Sequence, residues 1–159
     1  FPLDAIFFTN QLRYFENKNK IKNVKIMTTS NLKTNEDVMQ FDYMSLVKFG
    51  WINLDNSSVL TLRLFINLGI KEFYFAGLDG YTIQNREYYY NEKLTNPADE
   101  EIFELLVKET REMFQDIQNT TTINVHFITP SIYEDIFQKE SIKNILFLLR
   151  SLIIEFLNF

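Results

Sequence analysis

Short apolar runs that stop in polar turn residues alternate along this chain with longer stretches of helical spacing. DAIFF (4–8) follows Pro2 and halts at Thr9-Asn10, which predicts a buried strand. QLRYFENKNKIKN (11–23) turns polar and predicts a short helix and then a basic loop. NVKIMTTSN (23–31), with β-branched residues and a Ser-Asn stop, predicts a second strand. Residues 32–56 are mixed, and DVMQFDYMSLVKFGW among them has only partial helical spacing. The clearest unit is DNSSVLTLRLFINLGIKEFYFAGLDG (55–80). Asp55, Asn56 and Ser57 are N-cap types, and Val59, Leu60, Leu62, Leu64, Phe65 and Leu68 form a broad apolar face. Gly69 supplies a C-cap, and EFYFAG (72–77) then predicts a strand.

Residues 81–95 form a tyrosine-rich loop. Pro97 and the acids that follow it then suit the first turn of a long helix. Its apolar positions are 102, 103, 105, 106, 107, 113, 114 and 117. TTINVHFITPS (121–131) predicts another strand with a Pro-Ser stop, and the remainder predicts one or two terminal helices. Strands alternating with helices predict an α/β fold with a parallel, helix-covered sheet. The length of 159 residues suits a single domain, 1–159, with 140–159 as a C-terminal apolar helix. The chain opens on a strand without Met or a basic leader, as expected of a fragment of a longer protein.

Composition narrows the function classes. A net charge of −5 and the lack of a basic run argue against a nucleic-acid partner. The absence of cysteine excludes disulfides, thiolate metal sites and cysteine nucleophiles, and fits a cytoplasmic protein. No phosphate loop, dinucleotide glycine fingerprint or nucleophile elbow is present. No metal-ligand spacing is present either. The tail IKNILFLLRSLIIEFLNF (142–159) is interrupted by Arg150 and Glu155 and is short for a membrane span. An all-round apolar helix must bury itself in its own domain, in a second copy or parent protein, or at a membrane surface. The last is disfavoured by the lack of a basic polar face.

Candidate chemistry collects at strand ends, where open parallel sheets place ligands. Thr9-Asn10, Ser30-Asn31, Gly77-Leu78-Asp79-Gly80-Tyr81 and Thr129-Pro130-Ser131 would share one rim. Ser57 and Ser58 open a helix, where amide groups and the helix dipole favour phosphate or carboxylate. Each also reads as an ordinary turn or cap. Tyr88, Tyr89 and Tyr90 either stack on a base and donate to a phosphate, or only pack over a sheet edge. His126, the single histidine, lies inside a strand and reads as structural.

SSVLTLRLFINLGIKEFYFAGLDGY resembles the matching segment of bacterial lipooligosaccharide sialyltransferases, where a serine turn, a helix, LGYKEIYL and SGIDFY follow in that order. It is similar also to the Rossmann-like group that includes the archaeal pterin diphosphokinase-like proteins. The nearest likeness is to a domain carrying AGFDGY at the C-terminus of aldolase-like proteins of the hydroxy-oxovalerate aldolase type, from surface-polysaccharide gene clusters. DAIFFTNQLRYFE, VKIMTTSNL and FITPSIYE fit that domain, so the likeness spans most of residues 4–134. It implies a Rossmann-like parallel sheet with helices on both faces, lacking its first strands, and C-terminal helices. It implies binding of a nucleotide or nucleotide sugar, CMP-like, through Asn10, Ser57 or Ser58, Asp79, Tyr81 and one of Tyr88–Tyr90, such as Tyr89, and the strand-end reading adds Asn31, Gly77 and Gly80 to that expected site. The implied chemistry is glycosyl transfer, or lyase chemistry in a barrel outside this chain. Two departures stand out: the Gly-Asn-Gly-Pro-Ser loop of the transferases is missing, and LTNPADEE has no histidine where they carry a base.

Overall fold

The computed structural model describes residues 4–34, 38–54, 56–78, 80 and 100–138, and the chain divides into two compact units, residues 1–70 and 71–159. The first unit runs β1 (Ala5–Phe8), α1 (Gln11–Asn17), a 3-10 turn (Lys18–Lys20), β2 (Lys25–Thr29), β3 (Met39–Phe41), α2 (Tyr43–Leu46) and α3 (Ser57–Asn67). Its sheet has the order β1-β2-β3, all parallel, with Phe8 level with Thr28 and Thr28 level with Gln40.

Alternation along the strands gives this sheet two faces, each covered by a helix. Phe8 meets the fully buried Tyr14 of α1 edge-on at 5.7 Å. On the opposite face, Phe7 and Phe41 pack against a core of Leu46, Leu60 and Leu64 from α2 and α3. Val59, Leu60, Leu62 and Leu64 are buried and Phe65 is half-buried, so most of the apolar face expected of α3 is its core face, whereas Leu68, also expected there, is exposed. α3 ends as Gly69 predicts. Gly69 has φ +87, its N–H donates to the Ile66 carbonyl, and the Ile70 N–H donates to the Phe65 carbonyl. That pair of bonds is the Schellman arrangement, which favours glycine at the left-handed position.

The mixed segment resolves into β3 and the single turn α2. Three residues of strand carry too little periodicity to register in sequence. The β2–β3 connection is also unusual: nine residues, 30–38, join two parallel strands without a regular helix among the described residues. Parallel crossovers ordinarily need about a dozen residues or more. Here Ser30 holds the arrangement, its N–H donating to the Phe41 carbonyl (2.8 Å) and its Oγ accepting from the Tyr43 N–H (3.0 Å).

The second unit contains β4 (Glu72–Phe75), α4 (Glu100–Thr120) and β5 (Asn124–Phe127), with β4 and β5 paired in parallel. Phe73, Phe75, Val125 and Phe127 face inward and are half-buried, whereas Glu72, Tyr74, Asn124 and His126 are exposed. A run of ring contacts links Phe75, Phe127, Phe137, Phe114 and Tyr133. Residues 134–138 are helical and are tied to α4 by Arg111. Its guanidinium reaches both oxygens of Asp135 (2.9 and 2.8 Å) and the Ile132 carbonyl. Met113, Phe114 and Ile117 of α4 are buried, as their spacing predicts, together with Glu109, Thr110 and Gln118, whereas residues 105–107 are half-buried.

The described fold is mixed α/β with parallel pairing in both sheets, as the alternation of elements predicts. No helix among the described residues is long and apolar enough to cross a membrane. The expected apolar helix at 140–159 lies outside the described residues.

Candidate functional site

In the first unit the carboxyl end of β1 meets the amino end of α3. Thr9, the first residue beyond β1, is buried, and its hydroxyl lies 2.6 Å from the Ser57 hydroxyl. That contact fixes the start of α3 at the end of β1. Asn56 is the cap of α3, its Oδ1 accepting from the Val59 N–H at 3.1 Å. The amides of Ser57 and Ser58 belong to the first turn, where helical N–H groups lack intrahelical partners and carry the positive end of the dipole.

The loops on either side are held in place by local bonds. Asn10 caps α1, its Oδ1 accepting from the Arg13 N–H at 3.1 Å. The Gln11 side chain binds both backbone groups of Lys33, donating to the carbonyl (3.0 Å) and accepting from the N–H (2.6 Å). The start of α1 is thereby latched to the loop after β2, which carries Asn31 on the surface. Thr28 and Thr29 at the end of β2 are fully buried. The Thr28 hydroxyl accepts from Gln40 Nε2 at 3.3 Å, whereas the Thr29 Oγ1 has no hydrogen-bond partner among the described residues.

Of the residues expected at the rim, Asn10, Asn31, Ser57 and Ser58 all belong to this first unit. Asn10 spends its side-chain oxygen on a helix cap and Ser57 its hydroxyl on Thr9. Asn31 is exposed and Ser58 half-buried.

Gly77 and Gly80 belong to the second unit, where they shape the turn after β4. Both have positive φ, +73 and +79. The Gly77 N–H donates to the Thr129 hydroxyl at 2.8 Å, which fastens the end of β4 to the end of β5. A Cβ on Gly80 would stand 2.3 Å from Ile132 Cγ1. The two glycines therefore have backbone reasons of their own, independent of any ligand. Asp79, Tyr81, Tyr88, Tyr89 and Tyr90 lie outside the described residues.

His126 stands on the outward face of β5, stacked on Tyr74 with ring centroids 4.8 Å apart. Its Nε2 is 3.5 Å from Glu72 Oε1, the oxygen that also accepts from the Tyr74 hydroxyl at 2.7 Å. That bond and the Glu72 charge raise the Tyr74 phenol above its ordinary pKa. The histidine has a partner, as a structural reading requires, but on an exposed face rather than among apolar neighbours. No group of three or more metal-ligating side chains occurs among the described residues.

Thr9 was expected at the rim but not as the partner of Ser57, and Thr29, a buried hydroxyl at the end of β2, was not singled out by sequence. The available signal was positional. Thr9 and Thr29 share the strand face that bears Phe7 and Phe41, so α3 covers them both. No family model, curated protein or solved structure matches the chain.

Proposed function

We propose that this chain is a Rossmann-like nucleotide or nucleotide-sugar binding domain connected with surface-glycan synthesis, its phosphate-binding end at the amino terminus of α3. The observation that carries the reading is the Thr9–Ser57 contact, which sets a helix start against the carboxyl end of a parallel strand. Ligands of open α/β sheets sit at such strand ends, and helix starts favour anions. The order β1-β2-β3 with a helix on each face is what one half of a doubly wound sheet would give. The likeness of SSVLTLRLFINLGIKEFYFAGLDGY to sialyltransferase segments adds the nucleotide, CMP-like, and the glycan context. Within this reading Asn31, Ser57 and Ser58 line the ligand side of the first unit. Asp79, Tyr81 and Tyr89 are the side chains to substitute next. The test is titration with cytidine, uridine, guanosine and adenosine nucleotides, comparing wild type with Ser57→Ala. Loss of one hydrogen bond to a charged group is expected to weaken binding by about tenfold or more.

A second reading, as an accessory or assembly domain of an aldolase-like enzyme, is favoured by a different observation. Phe49 and Ile52, in the segment between α2 and α3, are 68% and 79% exposed. The apolar sequence 142–159 points the same way. Sedimentation of the chain with and without residues 142–159 tests this reading. A concentration-dependent dimer that dissociates on truncation supports it, and a monomer in both cases removes it.

A further inference from the structure

We propose that Glu72 and His126, on the outward face of β4 and β5, bind a divalent transition-metal ion of the Zn²⁺ class, with the Tyr74 hydroxyl holding the carboxylate in place. This site is independent of the nucleotide-binding reading. The strand register sets Tyr74 level with His126 and Glu72 level with Asn124, so the three side chains stand on one exposed face of the sheet. His126 Nε2 and Glu72 Oε1 are 3.5 Å apart. That is long for a hydrogen bond, whose heavy atoms ordinarily lie about 2.7–3.2 Å apart. It matches two ligands of one ion. Donors at about 2.1 Å from a tetrahedrally coordinated zinc lie about 3.4 Å from each other. An ion seated between the nitrogen and the oxygen therefore asks for almost no movement of either strand.

The donor set and its supports fit such an ion. Imidazole nitrogen and carboxylate oxygen are both ligands of Zn²⁺, whereas Mg²⁺ and Ca²⁺ take oxygen. Both ligands are oriented before an ion arrives. The Tyr74 hydroxyl donates to Glu72 Oε1 at 2.7 Å, and that oxygen keeps a second lone pair for the metal. Ligating carboxylates are ordinarily hydrogen-bonded in this way. The Tyr74 ring, stacked on the imidazole at 4.8 Å and 19° from parallel, fixes the plane of His126. Both ligand side chains are open to solvent, so water takes the other positions and leaves the ion accessible to a further ligand. The two ligands come from different strands, which is why no ligand spacing marks them in the sequence.

The experiment titrates the 159-residue chain with zinc chloride and, separately, magnesium chloride, for wild type, His126→Ala, Glu72→Gln and Tyr74→Phe. His126 is the single histidine, so its ring signals in proton NMR report this site alone, and calorimetry gives the affinity. Zinc is expected to shift those signals saturably, at one ion per chain, and magnesium to leave them in place. His126→Ala is expected to abolish the one-to-one event. Glu72→Gln and Tyr74→Phe are each expected to weaken zinc about tenfold or more. Thermal unfolding of the metal-free proteins checks that all four fold, as substitutions on an exposed face should. Two results overturn the proposal. One is ring signals that zinc does not shift to saturation. The other is a zinc affinity of Glu72→Gln equal to wild type, which would leave Glu72 and His126 an ordinary surface ion pair. An unchanged affinity in Tyr74→Phe removes the role given to the phenol. None of these outcomes alters what the nucleotide titrations test.

Discussion

Two glycines of AGLDGY look alike in sequence and differ in what holds them. Gly77 has φ +73 and open space where a Cβ would stand, whereas Gly80, at φ +79, faces Ile132. A left-handed backbone alone costs an L-residue about 1–2 kcal/mol. Gly77→Ala is therefore expected to destabilise by about 1 kcal/mol. Gly80→Ala adds a clash with a branched side chain, where overpacking costs about 1–3 kcal/mol more. Urea unfolding should show Gly80→Ala the worse of the two, with partial recovery when Ile132 is shortened to Ala. Equal losses would mean that the turn does not rest on Ile132. Tyr133 offers a second test at this scale. Burial pushes its phenol above the ordinary 10.0, while the Thr110 hydroxyl and Arg111 guanidinium pull it back. The folded state holds this proton more tightly than the unfolded state. Its contribution is thus fully present below pH 10.0 and fades as pH rises through the folded value. Tyr133→Phe should flatten the alkaline fall in stability as pH rises above about 10. An unchanged slope would contradict a buried phenol.

Among the elements, α3 joins the core to the site. Its inward residues Leu60 and Leu64 form the core with Leu46, while its first residue meets Thr9. Leu60→Ala is expected to cost about 2–5 kcal/mol, read by denaturant unfolding. It should also weaken nucleotide binding, because the helix start loses its support. A loss under 1 kcal/mol would show Leu60 to be peripheral rather than core. This helix was legible in sequence because cap, apolar face and terminal glycine agree over residues 55–69. β3 and α2 were not, since three residues of strand and one turn of helix are fixed by tertiary bonds. Ser30, beyond β2, accepts from the first amide of α2, and Gln40 within β3 donates to the Leu32 carbonyl. Propensity is weak against such interactions.

Across the molecule, the polar strand ends were legible as positions but not as partnerships. Thr9-Asn10 reads in sequence as a stop, yet one of these residues clasps α3 and the other caps α1. Likewise Gly77 reads as rim, yet its N–H is taken by Thr129. Pairings between residues dozens of positions apart leave no mark in one sequence, because turn formers serve caps, latches and ligands alike. The net charge of −5 gives the chain no general attraction for anions. The proposed binding of a phosphate therefore rests on local donors, the first-turn amides of α3. Calorimetric titration of the 159-residue chain with CMP, CDP, UDP, GDP, ATP and NAD tests this most directly, with Ser57→Ala as the control. The account predicts a cytidine nucleotide binding more tightly than millimolar and weakened about tenfold by the substitution. Binding of no nucleotide below millimolar concentration would contradict it.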